Sequence, residues 1–267
     1  MTGFDPTYNY DTLIVPLLCR MINLVELNLC MSIVRCNYTY VDGIQLYDQF
    51  LIHMIQLTRF TFSIKTEVNS TNATILLPSN DDIQRSFFRK EYQRVDLYVH
   101  TNSTQMGGKC HIYSLPYDFE YFVHLDIYFQ GGMFQKVRYL TMNDVQHFEY
   151  KLFQLISQDF PFLEFLYILN SKPIKDKQDS STFIIFPYLK YLDIKWTHFE
   201  YAELFLLKKN THLSGLVNLC MEYESLITIT KDFTNDATHF NFRTLKCLDL
   251  CEPFVRPNNF HVYFPLL

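Results

Sequence analysis

One apolar pattern recurs along this chain and constrains its fold more than any other feature. It has the form L-x-x-L-x-L with apolar replacements. The clear copies are Leu24-x-x-Leu27-x-Leu29, Leu57-x-x-Phe60-x-Phe62, Val137-x-x-Leu140-x-Met142, Leu163-x-x-Leu166-x-Ile168, Leu189-x-x-Leu192-x-Ile194, Leu216-x-x-Leu219-x-Met221 and Leu245-x-x-Leu248-x-Leu250. A partial copy ends in Leu97-x-Val99, with Arg94 in its first position. First positions lie 26 residues apart from 137 to 163 and from 163 to 189, then 27 to 216 and 29 to 245. Upstream the intervals are looser: 33 from 24 to 57, 37 from 57 to 94, and 43 from 94 to 137. Repetition at a nearly fixed period of this size marks stacked units.

The second and third apolar positions sit two apart, so a strand turns both to one face and the residues between them to the other. A unit of this length holds one short strand, a turn and a helix returning on the far side. No single unit buries its apolar face alone, but stacking buries a continuous core. The expected class is α/β.

The segments between copies carry helical periodicity. Asp42 to Gln56 places Ile44, Tyr47, Phe50, Leu51 and Met54 at helical spacing behind an N-cap aspartate. Phe148 to Ile156 is a second such segment. Tyr201 to Lys209, ending in Lys208 and Lys209, is a third, its charges suited to a helix C-terminus. Asn80-Asp81-Asp82 reads as a cap and acidic first turn. Pro161 and Pro187 stand just before copies, where they stop a helix and extend the residue before them.

The middle is irregular. Val95 to His100 and Lys109 to Tyr113 predict a hairpin across Gln105-Met106-Gly107-Gly108. A helix is expected from about Asp118 to Phe129, capped by Gly131-Gly132. Phe122-x-x-Leu125-x-Ile127 also matches the strand template, but it lies only 15 residues before Val137, too close for a full repeat. One repeat array over 1–267, irregular around 95–132, is expected. Phe264-Pro265-Leu266-Leu267 matches the approach to a further copy, so the array is expected to be cut at one or both ends.

Charge and composition exclude several classes. Lys plus Arg is 23 against 28 Asp plus Glu, giving −5, a poor balance for neutralising phosphates, so no nucleic-acid partner is expected. Only 7 glycines are present, which leaves little scope for phosphate-cradling loops. The balanced charges Lys172, Lys175, Lys177, Asp176 and Asp179 read as a solvated loop. Seven irregularly spaced cysteines without C-x-x-C predict free thiols in a reducing compartment. The N-terminus MTGFDPTYNYD lacks a basic and an apolar region, and no apolar run approaches the ~18 residues that span a bilayer. A cytoplasmic location is expected, with the nucleus as the alternative. The N-x-S/T matches at Asn37, Asn69, Asn72 and Asn102 then read as chance.

These copies resemble those of a leucine-rich-repeat protein. The runs Leu-Pro-Tyr, Gln-Gly-Gly-Met-Phe, Val-Arg-Tyr-Leu-Thr-Met and Phe-Pro-Phe-Leu-Glu-Phe-Leu resemble an expanded invertebrate family of F-box and leucine-rich-repeat-like proteins. The resemblance implies a leucine-rich-repeat solenoid: a curved horseshoe with parallel strands on the concave face and helices on the convex face. It also implies that an F-box binds a ubiquitin-ligase adaptor while the repeats hold a substrate. No F-box is found here. Leu115-Pro116-Tyr117-Asp118-Phe119 echoes the start of one, but in mid-chain.

Strand parity sets the concave face. Its middle column would be Asn28, Thr61, Tyr98, Thr141, Tyr167, Asp193, Cys220 and Asp249. Its flanks would include Tyr139, Phe165, Tyr191, Lys195 and Asn218. Tyrosines amid carboxylates suit protein recognition. The candidate protein-binding residues are therefore Tyr98, Tyr139, Thr141, Phe165, Tyr167, Tyr191, Asp193, Lys195, Asn218 and Asp249. Cys247 and Cys251 share parity but would stand about 13 Å apart along a strand, too far for a disulfide or a shared metal ion. The histidines show no ligand spacing, and no nucleophile or phosphate-loop motif occurs. His124 and Asp126 do not face each other on a helix. No catalytic, cofactor or metal role is assigned. The function expected is a non-catalytic protein-interaction module, substrate recognition for an SCF-type ubiquitin ligase if an F-box precedes it. The alternative is a stand-alone inhibitor or scaffold. An enzyme, the third reading, requires a pocket with converging titratable groups.

Overall fold

The computed structural model describes residues 6–69, 76–88, 94–102, 107–176 and 183–267. The chain divides into two compact units, Met1–Phe119 and Glu120–Leu267. Where the spacing predicts one array, the boundary falls inside the irregular stretch.

In the first unit, helix α1 (Val15–Leu18) precedes strand β1 (Glu26–Cys36), helix α2 (Gly43–Gln49), strand β2 (Arg59–Asn69), helix α3 (Asn80–Phe88) and the strands β3 (Val95–Asn102) and β4 (Gly107–Ser114). The sheet order is β1-β2-β4-β3. β1 and β2 run parallel with their templates in register, Leu27 opposite Phe60 and Leu29 opposite Phe62. The expected hairpin forms, and β4 pairs antiparallel with both β2 and β3. Gln105 and Met106 of its turn lie outside the described residues. The partial copy on β3 therefore lies two places from β2 instead of beside it.

The helical expectations here hold in part. Asp42 caps α2, its Oδ1 accepting the Gln45 N–H at 2.8 Å, but the helix gives way after Gln49 to a 3-10 turn at Leu51–His53. Gly43 is needed because α2 meets α3 closely: a Cβ there would stand 2.8 Å from Ser86 O and from Phe87 Cδ1. At α3 the partner of Asp82 is Ser79, whose hydroxyl donates to the carboxylate at 2.7 Å. This reciprocal cap starts one residue earlier than the asparagine.

The second unit runs β5 (Tyr121–Leu125), β6 (Tyr139–Asn143), α4 (Tyr150–Asp159), β7 (Phe165–Asn170), β8 (Ile184–Ile185), β9 (Tyr191–Thr197), α5 (Phe199–Leu206), β10 (Thr211–His212), β11 (Asn218–Cys220), α6 (Tyr223–Thr230), β12 (Cys247–Asp249) and α7 (Phe260–Tyr263). Its main sheet has six strands in the order β12-β11-β9-β7-β6-β5, every pairing parallel. Leu140, Leu166, Leu192, Leu219 and Leu248 stand opposite one another across it. β8 and β10 form a separate parallel pair.

Five strands of the main sheet, β6, β7, β9, β11 and β12, begin the same way. The N–H groups of Arg138 and Tyr139 donate to Glu120 O, those of Glu164 and Phe165 to Arg138 O, and those of Lys190 and Tyr191 to Glu164 O. Those of Val217 and Asn218 continue the series to Lys190 O, and Lys246 and Cys247 to Val217 O. Strands β5, β6 and β7 also end alike, on side chains that close tight turns. Tyr128 N–H donates to Asp126 Oδ1 (3.1 Å), Gln146 N–H to Asp144 Oδ1 (3.0 Å) and Lys172 N–H to Asn170 Oδ1 (2.8 Å). Asp144 Oδ2 and Asn170 Nδ2 reach back to Ile127 N–H and Gln146 O, tying each turn to its predecessor. These buried polar residues are therefore satisfied.

The helix expected from Asp118 to Phe129 is instead strand β5, with His124 at φ 55 interrupting its register. Its aromatic and β-branched residues gain parallel pairing with β6, and the short interval to Val137 is closed without a helix. Phe134 fills that space, 5.0 Å from the Phe122 ring and 4.7 Å from the Phe160 ring. Gly131 and Gly132 belong to this loop, with φ of 98° and 154°. α5 stops at Leu206, so Lys208 and Lys209 follow the helix, and Lys208 Nζ donates to Thr238 O at 2.7 Å. Of the balanced loop charges, Lys177 and Asp179 lie outside the described residues.

Candidate functional site on the open sheet face

Alternation along the parallel strands separates two faces. Leu140, Met142, Leu166, Ile168, Leu192 and Ile194 are buried, while Tyr139, Thr141, Phe165, Tyr167, Tyr191, Asp193 and Lys195 are half-buried. The predicted parity is the observed one. Across the strands, Tyr121, Tyr139, Phe165, Tyr191 and Asn218 form one row, and Thr141, Tyr167, Asp193, Cys220 and Asp249 the next.

The first row is an aromatic ladder. Ring centroids lie 4.6 Å apart from Tyr121 to Tyr139, 4.3 Å from Tyr139 to Phe165 and 6.1 Å from Phe165 to Tyr191. In-register pairing brings these rings to stacking distance, and their contacts hold the rotamers. Tyr121 belongs to the site although sequence reading placed it on a helix. Tyr167 joins the ladder from the second row, 5.1 Å from Tyr191.

The second row is acidic at one end. Burial and then the Asp193 carboxylate raise the Tyr167 and Tyr191 hydroxyls above their ordinary titration range. Burial also raises Asp193 itself, whose Oδ1 accepts the Lys195 N–H at 3.1 Å. Lys195 Nζ lies 5.3 Å over the Trp196 ring. The Thr141 hydroxyl accepts the His124 N–H at 2.7 Å, a structural task on the same face.

Tyr98 is a correction. It lies in the first unit, 4% exposed, with its hydroxyl 3.3 Å from His111 Nδ1. His111 Nε2 is 2.9 Å from Ser63 Oγ, which receives the Tyr117 hydroxyl at 3.1 Å. Antiparallel pairing of β3 with β4 sets His111 opposite Tyr98, so Tyr98 serves a buried polar network. Tyr117, from the F-box-like run, is buried in the same network.

A cluster invisible to linear spacing lies at the acidic end. Cys220 Sγ is 3.5 Å from Asp249 Oδ2 and 3.8 Å from Cys251 Sγ. Cys251 does not continue the strand: its φ is 62° and its N–H donates to Asp249 Oδ1 at 3.0 Å. The turn brings its sulfur back toward β11. All seven cysteines are free.

A cleft of about 400 Å³ opens at the C-terminal ends of β7, β9 and β11, lined by Ser171, Trp196, His198, Glu222, Ser225 and neighbours. This is the end of a parallel sheet where ligands bind in α/β folds. His198 Nδ1 accepts the Glu200 N–H at 3.5 Å as the cap of α5. Among the described residues no helix is long and apolar enough to cross a membrane. Comparison with protein-family models, with curated proteins and with solved structures gave no match.

Proposed function

We propose that the second unit is a leucine-rich-repeat solenoid and a non-catalytic protein-interaction module, with the open sheet face holding its partner. The observation that carries this reading is the ladder of Tyr121, Tyr139, Phe165 and Tyr191, half-buried rather than covered. Three strand spacings extend it over about 14 Å, the reach of a four- to five-residue extended segment. Pre-stacked rings lose little rotamer freedom on binding, which favours them as affinity anchors. Asp193 and Asp249 beside them favour a partner segment carrying Lys or Arg. Repeated strand starts and turn closures support the solenoid reading.

In one form of this function the partner is a ubiquitination substrate and an F-box preceding these residues recruits an SCF-type adaptor. In the other the chain is a stand-alone inhibitor or scaffold. Affinity purification of the full-length gene product separates them. Co-purifying adaptor supports the ligase form, and its absence removes it; one stoichiometric partner without ubiquitin machinery supports the second. The reading includes a cytoplasmic or nuclear location, and no cofactor, nucleic acid or membrane. The cleft beside His198 and Glu222 is what an enzyme reading would use, and turnover abolished by His198→Ala would overturn ours.

A further inference from the structure

We propose that Cys220, Asp249 and Cys251 bind a divalent metal ion of the zinc class, which staples the last strand of the sheet to its neighbour. The donors are two sulfurs and a carboxylate, the set such an ion selects. Their spacing agrees with one shared ion. Metal–sulfur and metal–oxygen bonds of about 2.3 and 2.0 Å at tetrahedral angles require sulfurs ~3.8 Å apart and a sulfur–oxygen edge of ~3.5 Å. The observed separations are 3.8 Å for Cys220 Sγ to Cys251 Sγ and 3.5 Å for Cys220 Sγ to Asp249 Oδ2. Donor atoms of all three residues lie within 4.8 Å of one another. The sulfurs thus stand at ligand spacing, well beyond the ~2.05 Å of a disulfide.

The backbone holds these donors from two directions. Cys220 and Asp249 are register partners on β11 and β12, and the turn at Asp249 sets Cys251. One carboxylate oxygen, Oδ1, is engaged by the Cys251 N–H. That contact leaves Oδ2 facing Cys220, as an outer-shell hydrogen bond orients a monodentate ligand. Two thiolates and a carboxylate around a divalent ion leave one net negative charge, and the Lys195 ammonium, which interacts electrostatically with Cys251, offsets it. Water completes the tetrahedron, as at other three-ligand sites of this ion class. The ion's role follows from the sheet edge. β12 has three residues and, among the described residues, only β11 as a neighbour, so a bond across these strands fixes the end of the array.

The test is titration of the reduced, metal-free full chain with Co²⁺, read by absorption, and with Zn²⁺, read by thermal unfolding. The site predicts one equivalent of Co²⁺ with thiolate-to-cobalt charge transfer and intense visible bands of tetrahedral geometry. It also predicts a higher Tm with equimolar Zn²⁺. Cys251→Ser, at an exposed position, should abolish the charge-transfer band and the Tm rise while leaving the circular dichroism of the metal-free chain unchanged. Asp249→Asn should weaken binding at least tenfold. Cys247→Ser, an exposed thiol on the same strand, should change neither. Absence of the bands at equimolar Co²⁺ would overturn the proposal. So would bands that survive Cys251→Ser or vanish in Cys247→Ser, the signature of adventitious thiol binding.

Discussion

The two units use the same apolar template to different ends. In the first, β2 is buried on both faces for most of its eleven residues, and its polar side chains enter a Ser63–His111–Tyr98–Tyr117 network. In the second, β6, β7 and β9 bury the template residues, with Asn170 and Thr197 buried at the strand ends, and leave Tyr139, Thr141, Phe165, Tyr167, Tyr191, Asp193 and Lys195 on the other face half-buried. Strand entry is shared: Thr58 and Arg59 N–H both donate to Val25 O, the arrangement repeated at Glu120, Arg138, Glu164, Lys190 and Val217. What differs is the interval between copies. Spacings of 26 to 29 residues leave room for a single crossover, so successive template strands pair parallel. The interval of 43 after Arg94 admits a hairpin, and the hairpin joins the same sheet in antiparallel pairing. The template reports a strand; the interval reports the sheet.

The sharpest break in that comparison is a pair of adjacent substitutions. Leu192→Asp buries a charge in the covered face and should cost more than about 4 kcal/mol, unfolding the second unit. Asp193→Ala, one residue on, should change stability by less than about 0.5 kcal/mol. Burial raises the Asp193 carboxyl, so its charged form adds no stability at neutral pH. Equal thermal shifts for the two variants would reverse the assignment of faces.

The next effect separates the units by their ion pairs. Arg35 is buried, ion-paired with Asp11, donating to Thr39 O at 2.9 Å and Gln45 Oε1 at 2.8 Å, and 5.3 Å from the Tyr10 and Tyr38 ring centroids. Arg35→Ala should cost about 3–5 kcal/mol by denaturant unfolding. Lys190 and Glu164, 2.7 Å apart at the surface of the second unit, should yield under about 1 kcal/mol on Lys190→Ala, and less in high salt. Comparable losses would contradict the contrast between a buried ion pair in the first unit and a surface ion pair in the second.

The smallest effect is one of pH and should be common to both. Hydrogen bonds from Ser79 hold the Asp82 carboxyl below its usual range, and those from Thr238 do the same for Asp236. A depressed carboxyl contributes stability above its unfolded pKa of about 3.9 and loses it as pH falls through the folded value. Asp82→Ala and Asp236→Ala should each lower Tm slightly at pH 7. At a pH below the folded values they should match the parent protein. A Tm difference that persists there would assign the effect to packing.

Much of this was legible in the residues because template and interval are local quantities. Leu163-x-x-Leu166-x-Ile168 predicts its own strand, the parity of Phe165 and Tyr167, and its pairing with the next copy. Phe122-x-x-Leu125 was ambiguous because its apolar residues suit a helix as well as a strand, and only pairing with β6 decides. Tyr98 had the right parity, but which strand would lie beside it was not a local property. Cys220 and Cys251 are 31 residues apart. They meet through strand register and one left-handed residue, and no linear spacing encodes either. Asp144 and Asn170 did carry a signal, since each lies seven residues after its template's first position.

Comparative affinity purification decides whether the open ladder face holds a protein partner. The full-length product, its Tyr139→Ser/Tyr167→Ser variant and a control altered at exposed Val145 would be recovered under identical conditions, with bound proteins quantified by mass spectrometry. One stoichiometric partner bound by the parent and the control should be lost at least tenfold from the tyrosine variant, while all three proteins unfold at similar temperatures. An unchanged set of bound proteins across the three would contradict partner binding at this face.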